Sequence, residues 1–393
     1  MKKSITLSTL LLAASLSFAG CRNNTQGNPV AMAPAPDTTG PETIAAVPEN
    51  KIQVGLLLDT SNSMDGLIEQ AKSRLWNIVT TLTTLKYNGQ APEIEIALYE
   101  YGNDGLDAGN GYIRQVTPLT SDLDLISEKL FSLRTNGGSE YCGTVIKDAT
   151  TQLKWGSKPA DMKLVYIAGN EGFNQGKVNY KEAISDALGK DIYVNTIFCG
   201  NQNEGVNLLW KDGADYGKGK YFNIDSNQPV EYVSTPYDDK ITKCNEKLNS
   251  TYIGYGAQGD YKKVSQVRED QNAETVSKAN YAERAVNKSK TVYKNDSWDL
   301  VDKVKQDKQA VSKMKKEELP AELRNKSTAE VTAYIEAKAK EREAVQKEMA
   351  ELGKERQKYI DGEMKKKNVK DDLGNAMSTS IVTFAKQKGY TVE

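Results

Sequence analysis

Short apolar runs alternate with helical stretches from residue 51 to about residue 227, and no other feature constrains the fold as strongly. Residues 52–58 form an apolar run that is typical of a strand buried on both faces. In residues 64–86 the apolar side chains recur with a period near 3.6, which predicts an amphipathic helix. Strands that alternate with helices build a parallel sheet covered by helices. We therefore expect a doubly wound, mostly parallel α/β sheet within residues 51–235.

The other elements of this region follow from the same patterns. A strand pair around a turn rich in Gly, Asn and Asp, and then three more strands, are predicted at residues 94–101, 112–117, 163–168, 192–199 and 220–224. The helices that separate them are predicted at residues 123–133, 144–153, 180–188 and 205–211.

Beyond residue 235 the composition shifts to Lys, Glu, Asp, Gln and Ala, so residues 236–393 are predicted to form a charged, mainly helical C-terminal region. One helix is expected to have its N-cap at Asp296 or Ser297. Ser327 and Glu330 fit a capping box that opens a long helix to about residue 366. A heptad seam on this long helix is formed by Val331, Ile335, Val345, Met349, Leu352 and Tyr359.

Charged side chains interrupt this seam at Lys338, Arg342 and Arg356. Two interpretations of the long helix therefore stay open. It forms a coiled coil, or it is a solvated helix that packs through one narrow face.

Charge and histidine content exclude several classes of function. The chain has 52 basic and 53 acidic residues, so its formal net charge of −1 gives no general attraction to nucleic acid. It contains no histidine, which removes His-based catalytic triads and His-containing zinc sites. No nucleophile stands beside a general base, so we expect a protein that is not an enzyme.

The first 20 residues are predicted to be an export signal, because a basic start precedes an apolar run too short to span a membrane. Residues 17–21, Ser-Phe-Ala-Gly-Cys, resemble the lipobox of bacterial lipoproteins; an ordinary secretory signal is the alternative. The resemblance implies a lipid on Cys21 and a place in the cell envelope, with the outer membrane favoured because no aspartate follows Cys21. Residues 21–50 have few large apolar side chains and are predicted to be a flexible tether.

Three oxygen-bearing side chains follow the first predicted strand. Asp59, Ser61 and Ser63 form an Asp-x-Ser-x-Ser loop before a helix. The carboxyl end of such a strand lies at the edge where doubly wound sheets bind ligands. One carboxylate and two hydroxyls suit a hard cation such as Mg²⁺, which keeps water or a ligand in its remaining positions.

This loop resembles the first motif of the metal-ion-dependent adhesion site of von Willebrand factor A (VWA) domains, and the resemblance implies two further pieces. In the family a threonine after paired glycines lends its hydroxyl to the metal, and here Ser139 stands in that place. An aspartate usually follows the strand predicted at residues 163–168, and here Asn170 replaces it, with Glu171 beside it. Whether Asn170 or Glu171 serves the metal stays open.

The resemblance implies an adhesion-type, metal-dependent module that binds a protein partner. Its cation would be Mg²⁺, or else Mn²⁺ or Ca²⁺, and an acidic side chain of the partner would complete the coordination. With Asp59 as its only anion, the site leaves about one positive charge on the ion, which favours such a carboxylate. The alternative is a structural envelope spacer with a degenerate metal site, because Asn170 replaces an aspartate. A phosphohydrolase of the haloacid dehalogenase type is not expected, because it would need a second aspartate as general acid where Ser61 stands.

Three cysteines remain once Cys21 is lipidated, an odd number for an oxidising compartment. Cys142 follows the Gly-Gly-Ser loop and Cys199 ends a predicted strand, so both are expected near the same edge of the sheet. We predict a disulfide between Cys142 and Cys199. The alternatives are a bond between Cys199 and Cys244, or three buried thiols.

Overall fold

The structure is a computed structural model that describes residues 50–366 and 373–393. These residues belong to one compact unit. The predicted signal peptide, the lipidation site Cys21 and the tether up to residue 49 lie outside the described residues.

Among the described residues, six strands form the main sheet and two short strands pair apart from it. In chain order the strands are β1 (Lys51–Asp59), β2 (Leu85–Lys86), β3 (Glu93–Tyr101), β4 (Ile113–Thr120), β5 (Met162–Gly169), β6 (Ile192–Cys199), β7 (Lys218–Ile224) and β8 (Thr391–Val392). Strands β2 and β8 form the antiparallel pair, and the main sheet has the order β4-β3-β1-β5-β6-β7.

The order of the main sheet confirms the predicted doubly wound fold. Counted along the chain without β2, it is 3-2-1-4-5-6, the order of dinucleotide-binding sheets. Every neighbouring pair is parallel except β3 and β4, which are antiparallel. The direction in which strands are added reverses between β1 and β5. A ligand crevice is therefore expected at the carboxyl ends of these two strands.

Helices account for most of the remaining described residues. The α-helices are α1 (Asp65–Thr83), α2 (Leu123–Ser132), α3 (Cys142–Gln152), α4 (Tyr180–Gly189), α5 (Gln202–Asn207), α6 (Trp210–Tyr216), α7 (Asp238–Asn249), α8 (Gly259–Val276), α9 (Lys278–Lys288), α10 (Leu300–Gln306), α11 (Ala310–Lys313), α12 (Thr328–Met364) and α13 (Leu373–Gln387). Short 3-10 turns occupy Asn62–Met64, Ala108–Asn110 and Lys316–Glu318. No helix in the described part of the chain combines the length and apolar character that crossing a membrane requires.

Both faces of the sheet are covered by helices, because successive side chains of a buried strand point to opposite faces. On β1, Leu56 and Leu58 face the layer that contains α1, α2 and α13, whereas Leu57 faces the layer of α3, α4 and α6. Strand β1 is buried along nearly its whole length, as its apolar run predicts.

The structure corrects three of the predicted helices. The helix expected at residues 64–86 ends at Thr83, and Leu85–Lys86 form the short strand β2. The helix expected at residues 205–211 is two short helices, α5 and α6, because Leu209 adopts a left-handed backbone conformation with φ of 71° between them. The cap of α10 is Asp299 rather than Asp296 or Ser297, since the Asp299 side chain accepts a hydrogen bond from the amide of Asp302.

The long helix α12 begins at the predicted capping box, where the side chains of Ser327 and Glu330 each bond the other residue's backbone. Its narrow buried face packs against other helices of the same chain, as the second interpretation expects. Arg342 and Arg356, which interrupt the seam, are 3% and 5% exposed and lie inside this face. Tyr359, assigned to the seam, is instead 40% exposed, so the seam ends before it.

The last helix completes one face of the sheet. Met377, Ile381 and Phe384 of α13 are buried in the same cluster as the apolar side chains of α1 and β1. Ser380 donates a hydrogen bond to the buried Oδ1 of Asn195 on β6, at 2.7 Å. The C-terminal region therefore forms part of the core that supports the sheet.

Candidate metal centre

The predicted metal loop lies where the sheet topology places a crevice. Asp59 is the last residue of β1, and Gly169 is the last residue of the neighbouring strand β5. The amide of Thr60 donates to the carbonyl of Tyr101 at the end of β3, at 2.8 Å. The carboxyl ends of three adjacent strands therefore hold the loop that carries Ser61 and Ser63.

Asp59 is fully buried, and only one of its carboxylate oxygens is satisfied. Its Oδ1 accepts a hydrogen bond from the amide of Ser61 at 2.7 Å. Its Oδ2 has no hydrogen-bond partner among the described residues. A buried carboxylate oxygen without a partner is costly, and such an atom in a native protein calls for an explanation such as a bound ion.

Two hydroxyls and one amide lie together beside this carboxylate. The hydroxyl oxygens of Ser61 and Ser63 are 3.4 Å apart. Asn170, which follows β5, places its Nδ2 at 3.1 Å and its Oδ1 at 3.5 Å from Ser63 Oγ. The structure therefore brings Ser61, Ser63 and Asn170 into one group, on loops that follow β1 and β5.

The loop of residues 136–140 is attached to the same edge, but Ser139 is not joined to the other predicted ligands. The amide of Asn136 donates to the carbonyl of Thr60 at 3.0 Å, and the amide of Asp104 donates to the carbonyl of Gly137. No hydrogen bond links the Ser139 side chain to Asp59, Ser61 or Ser63 in the described part of the chain. The role of Ser139 at the metal stays a prediction.

Glu140 is a site residue that the sequence analysis missed. It is 7% exposed, and it lies close to Asp59 across Gly102. A Cβ atom on Gly102 would lie 2.8 Å from Asp59 Oδ1 and 2.9 Å from Glu140 Cγ, and φ of this residue is 77°. The side chains of Asp59 and Glu140 therefore pack so closely against Gly102 that a residue with a Cβ atom would not fit there. The available signal was a carboxylate directly after Ser139, in the same loop.

Burial and neighbouring negative charges disfavour the ionisation of Asp59 and Glu140. Burial, partly opposed by hydrogen bonds from Ser61 and assisted by the charges of Glu140 and Glu171, raises the pKa of Asp59 to about 7. Burial, and then the charge of Glu171, raise the pKa of Glu140 to about 7. Glu171 itself is exposed, and its backbone carbonyl accepts a hydrogen bond from Trp210 Nε1 at 2.7 Å. A dication would relieve this repulsion.

The donor set fits a hard divalent cation held partly by neutral oxygens. Among the residues that the structure describes, no three Asp, Glu or Cys side chains are close enough to hold an ion by themselves. Mg²⁺ is commonly bound through one or two carboxylates and retains several waters. The unpartnered Asp59 oxygen and the paired hydroxyls of Ser61 and Ser63 match that demand.

The predicted disulfide between Cys142 and Cys199 is wrong, because these residues are free and buried, as is Cys244. The two residues lie in different layers of the fold. Cys199 ends β6 in the core cluster of α1 and α13, whereas Cys142 begins α3 in the cluster on the other face. The alternative of three buried thiols describes the structure.

Three unmodified thiols are therefore expected in the folded part of the chain. If the intact protein is denatured without reductant and alkylated, peptide mass spectrometry should find Cys142, Cys199 and Cys244 all modified. In the native protein the same thiols should react slowly, because all three are buried and burial raises their pKa values. A disulfide-linked peptide pair would contradict this expectation.

This chain has matches among solved structures, but no family model and no curated protein sequence matches it. One match is proximal thread matrix protein 1 from the mussel byssus, solved with a zinc-occupied MIDAS (metal-ion-dependent adhesion site) motif. It is 12% identical with a TM-score of 0.34, over 46% of this chain and 43% of its own. The match thus spans less than half of the mussel protein.

Two further solved structures are matched over most of their own length. An aerotolerance-related membrane protein from Bacteroides fragilis is 16% identical with a TM-score of 0.31, over 45% of this chain and 93% of its own. The SpRpn10 VWA domain is 16% identical with a TM-score of 0.32, over 44% of this chain and 87% of its own. By its own strand order and antiparallel edge strand, and with its Asp-x-Ser-x-Ser loop at the switch point, this chain has the VWA/Rossmann-like α/β fold.

Proposed function

We propose that this protein is a metal-dependent protein-interaction module, held at the bacterial cell envelope by a lipid on Cys21. The unpartnered buried oxygen of Asp59, beside the hydroxyls of Ser61 and Ser63, is the observation that supports it most directly. Asp59 would bind a divalent cation, with the two serines and Asn170 as neutral ligands. The cation would supply an electrophilic position that an oxygen of the partner protein fills.

The experiment that tests this function measures metal uptake first and binding second. Calorimetric titration of the purified protein with Mg²⁺, Mn²⁺ and Ca²⁺ is expected to show one site. A crosslinked pull-down from envelope extract is expected to recover a partner that is lost when a chelator is added. If none of the three ions binds, the metal-dependent function is wrong, although the fold is unaffected.

Glu140 bears on which group the partner supplies. If Glu140 and Asp59 are both ionised around a dication, they neutralise it, and the attraction for an acidic partner group is weaker than Asp59 alone would leave. An Asp or Glu of the partner stays our proposal for the incoming ligand. Its approach would then be opposed by Glu140 and by the exposed Glu171.

Glu140→Gln is expected to separate metal binding from partner binding. Loss of one negative charge should weaken metal affinity by about tenfold. At saturating metal it should tighten binding of an acid-bearing partner, because one repulsive charge is gone. Calorimetry measures the first effect, and surface binding of the recovered partner measures the second. Glu182→Gln, at an exposed position on α4, is the control. Weaker partner binding at saturating metal would show that the partner group is not an acid.

A structural envelope spacer with a degenerate metal site is the second candidate. Asn170, which stands in place of an aspartate and lies beside Ser63, favours it. Deleting the C-terminal helices cannot distinguish the two functions, because α13 forms part of the core that supports the sheet. Metal titration does distinguish them, since a spacer with a degenerate site takes up no ion.

A further inference from the structure

A second candidate site lies far from the metal loops. A cleft of about 460 Å³ opens between the C-terminal end of α1, the C-terminal end of α9 and the middle of α12. The metal loop precedes the other end of α1, and this helix of 19 residues is about 28 Å long. The cleft is therefore separate from the candidate metal centre.

Positive side chains dominate the ionisable groups of this cleft. Lys86, Lys290, Lys354 and Arg356 line it, against the single carboxylate of Glu283. Arg356 already pairs with Asp238, through its Nε at 3.0 Å, and the exposed Lys354 pairs with Glu351 at 3.1 Å.

Lys290 differs from these neighbours because no carboxylate in the described part of the chain lies within ion-pair distance of it. It is partly buried, and its Nζ donates one hydrogen bond, to Thr83 Oγ1 at 2.7 Å. Burial lowers the pKa of Lys290 to about 8, and the charge of Glu283 only partly opposes this change. An ammonium group in such a position costs stability, and groups of this kind are commonly retained for function.

The rest of the cleft wall is largely apolar. Ala91, Val286, Val292 and Ala350 contribute to it. Gly353 lets α12 approach α9 closely, since a Cβ atom there would lie 2.9 Å from Val286 Cγ1. The volume falls within the range of clefts that hold small organic molecules, which bind through apolar walls and a few polar groups.

We propose that this cleft binds a small organic anion, whose carboxylate or phosphate group pairs with Lys290 and whose apolar part packs between α9 and α12. The hydroxyl of Thr83 holds the ammonium group in place, at 2.7 Å. Lys290 has no carboxylate within ion-pair distance among the described residues, and its ammonium group favours an anion over a cation. Glu283 on the same wall selects against a second negative group near α9.

The test compares ligands that differ only in the charge of the head group. Octanoate and octyl phosphate are titrated calorimetrically into the full-length protein, beside octylamine, octyl glucoside and inorganic phosphate. At least one of the two anionic amphiphiles is expected to bind, about tenfold or more tightly than octylamine and octyl glucoside. Inorganic phosphate is expected to bind weakly, because it lacks the apolar part. Equal binding of all the octyl compounds, or no binding by either anion, overturns the proposal.

Lys290→Met separates binding from folding. It is expected to weaken binding of the anion by about tenfold or more, whereas Lys294→Met, at an exposed position outside the cleft, is expected to leave binding unchanged. The ligand-free Lys290→Met protein should melt at a higher temperature at pH 7, because a desolvated charge is removed. Lower melting with unchanged anion binding would make Lys290 a structural residue and overturn the proposal. Co-sedimentation with phosphatidylglycerol vesicles that depends on Lys290 would also overturn it, by assigning the anion to a membrane surface.

Discussion

Replacing Arg284 with methionine is expected to reduce the free energy of unfolding by about 3–5 kcal/mol, the largest stability effect that we predict. Arg284 is fully buried, and it pairs with Asp124 of α2 and with Asp270 of α8, each at 2.7 Å. Its guanidinium also lies over the ring of Trp76 on α1, 4.8 Å from the centroid. The variant would leave two buried carboxylates with fewer partners, in the layer that joins the C-terminal helices to the sheet.

The matched control for Arg284 is an exposed arginine in the same layer. Arg268 of α8 pairs with Glu128 at 2.7 Å, but its side chain is 45% exposed. Arg268→Met is therefore expected to cost about 0–1 kcal/mol, because solvent screens an exposed pair. Urea unfolding followed by circular dichroism measures both variants. Similar losses for Arg284→Met and Arg268→Met would contradict the structural role assigned to the buried pair.

Asp59→Asn is expected to remove the pH dependence of stability that Asp59 gives the metal-free protein. The pKa of Asp59 is about 7 in the folded chain, against an ordinary value of 3.8. Between about pH 4 and pH 7 the folded state therefore holds a proton that the unfolded state has released. The free energy of unfolding must fall as the pH rises through this window, on the order of 4 kcal/mol for a shift of this size. Melting temperatures measured from pH 4 to pH 8 test this slope, to which Glu140 adds in the same direction.

The same variant is expected to abolish metal uptake, with a loss of about 100-fold or more in affinity, because it removes the ionised ligand. Saturating Mg²⁺ should raise the melting temperature of the wild-type protein at pH 8 and leave Asp59→Asn unchanged. Asp186→Asn, at an exposed position on α4, is the control and should behave as the wild type. Unaltered metal affinity in Asp59→Asn would place the cation elsewhere or exclude it.

Within the candidate site, the residues that local sequence identifies are those that follow a strand directly. Asp59 ends β1, Ser61 and Ser63 lie in the loop after it, and Asn170 follows β5, so a strand and its carboxyl end suffice to place them. Glu140 could not be placed in this way, because its proximity to Asp59 depends on how its loop packs against Gly102. That approach is a contact between distant parts of the chain, and no local pattern specifies it.

The roles of the two buried arginines of α12 also depend on contacts that local sequence does not specify. In the sequence Arg342 and Arg356 only interrupt an apolar seam, because the seam is judged from one helix alone. In the structure Arg342 meets Asp299 at 2.6 Å and Thr251 Oγ1 at 3.0 Å, and Arg356 meets Asp238 at 3.0 Å. Their partners lie on other elements, and these partners convert an apparent defect into buried ion pairs.

The sequence by itself determined the class of the fold, because the periods of its apolar residues distinguish buried strands from amphipathic helices and depend only on neighbouring residues. It also determined the Asp-x-Ser-x-Ser loop at the end of β1. Only the tertiary structure decided that Cys142 and Cys199 lie in different layers, that Glu140 adjoins Asp59, and that α13 completes the core. Each of these depends on which surfaces of distant elements meet. Such contacts are set by the packing of the whole chain.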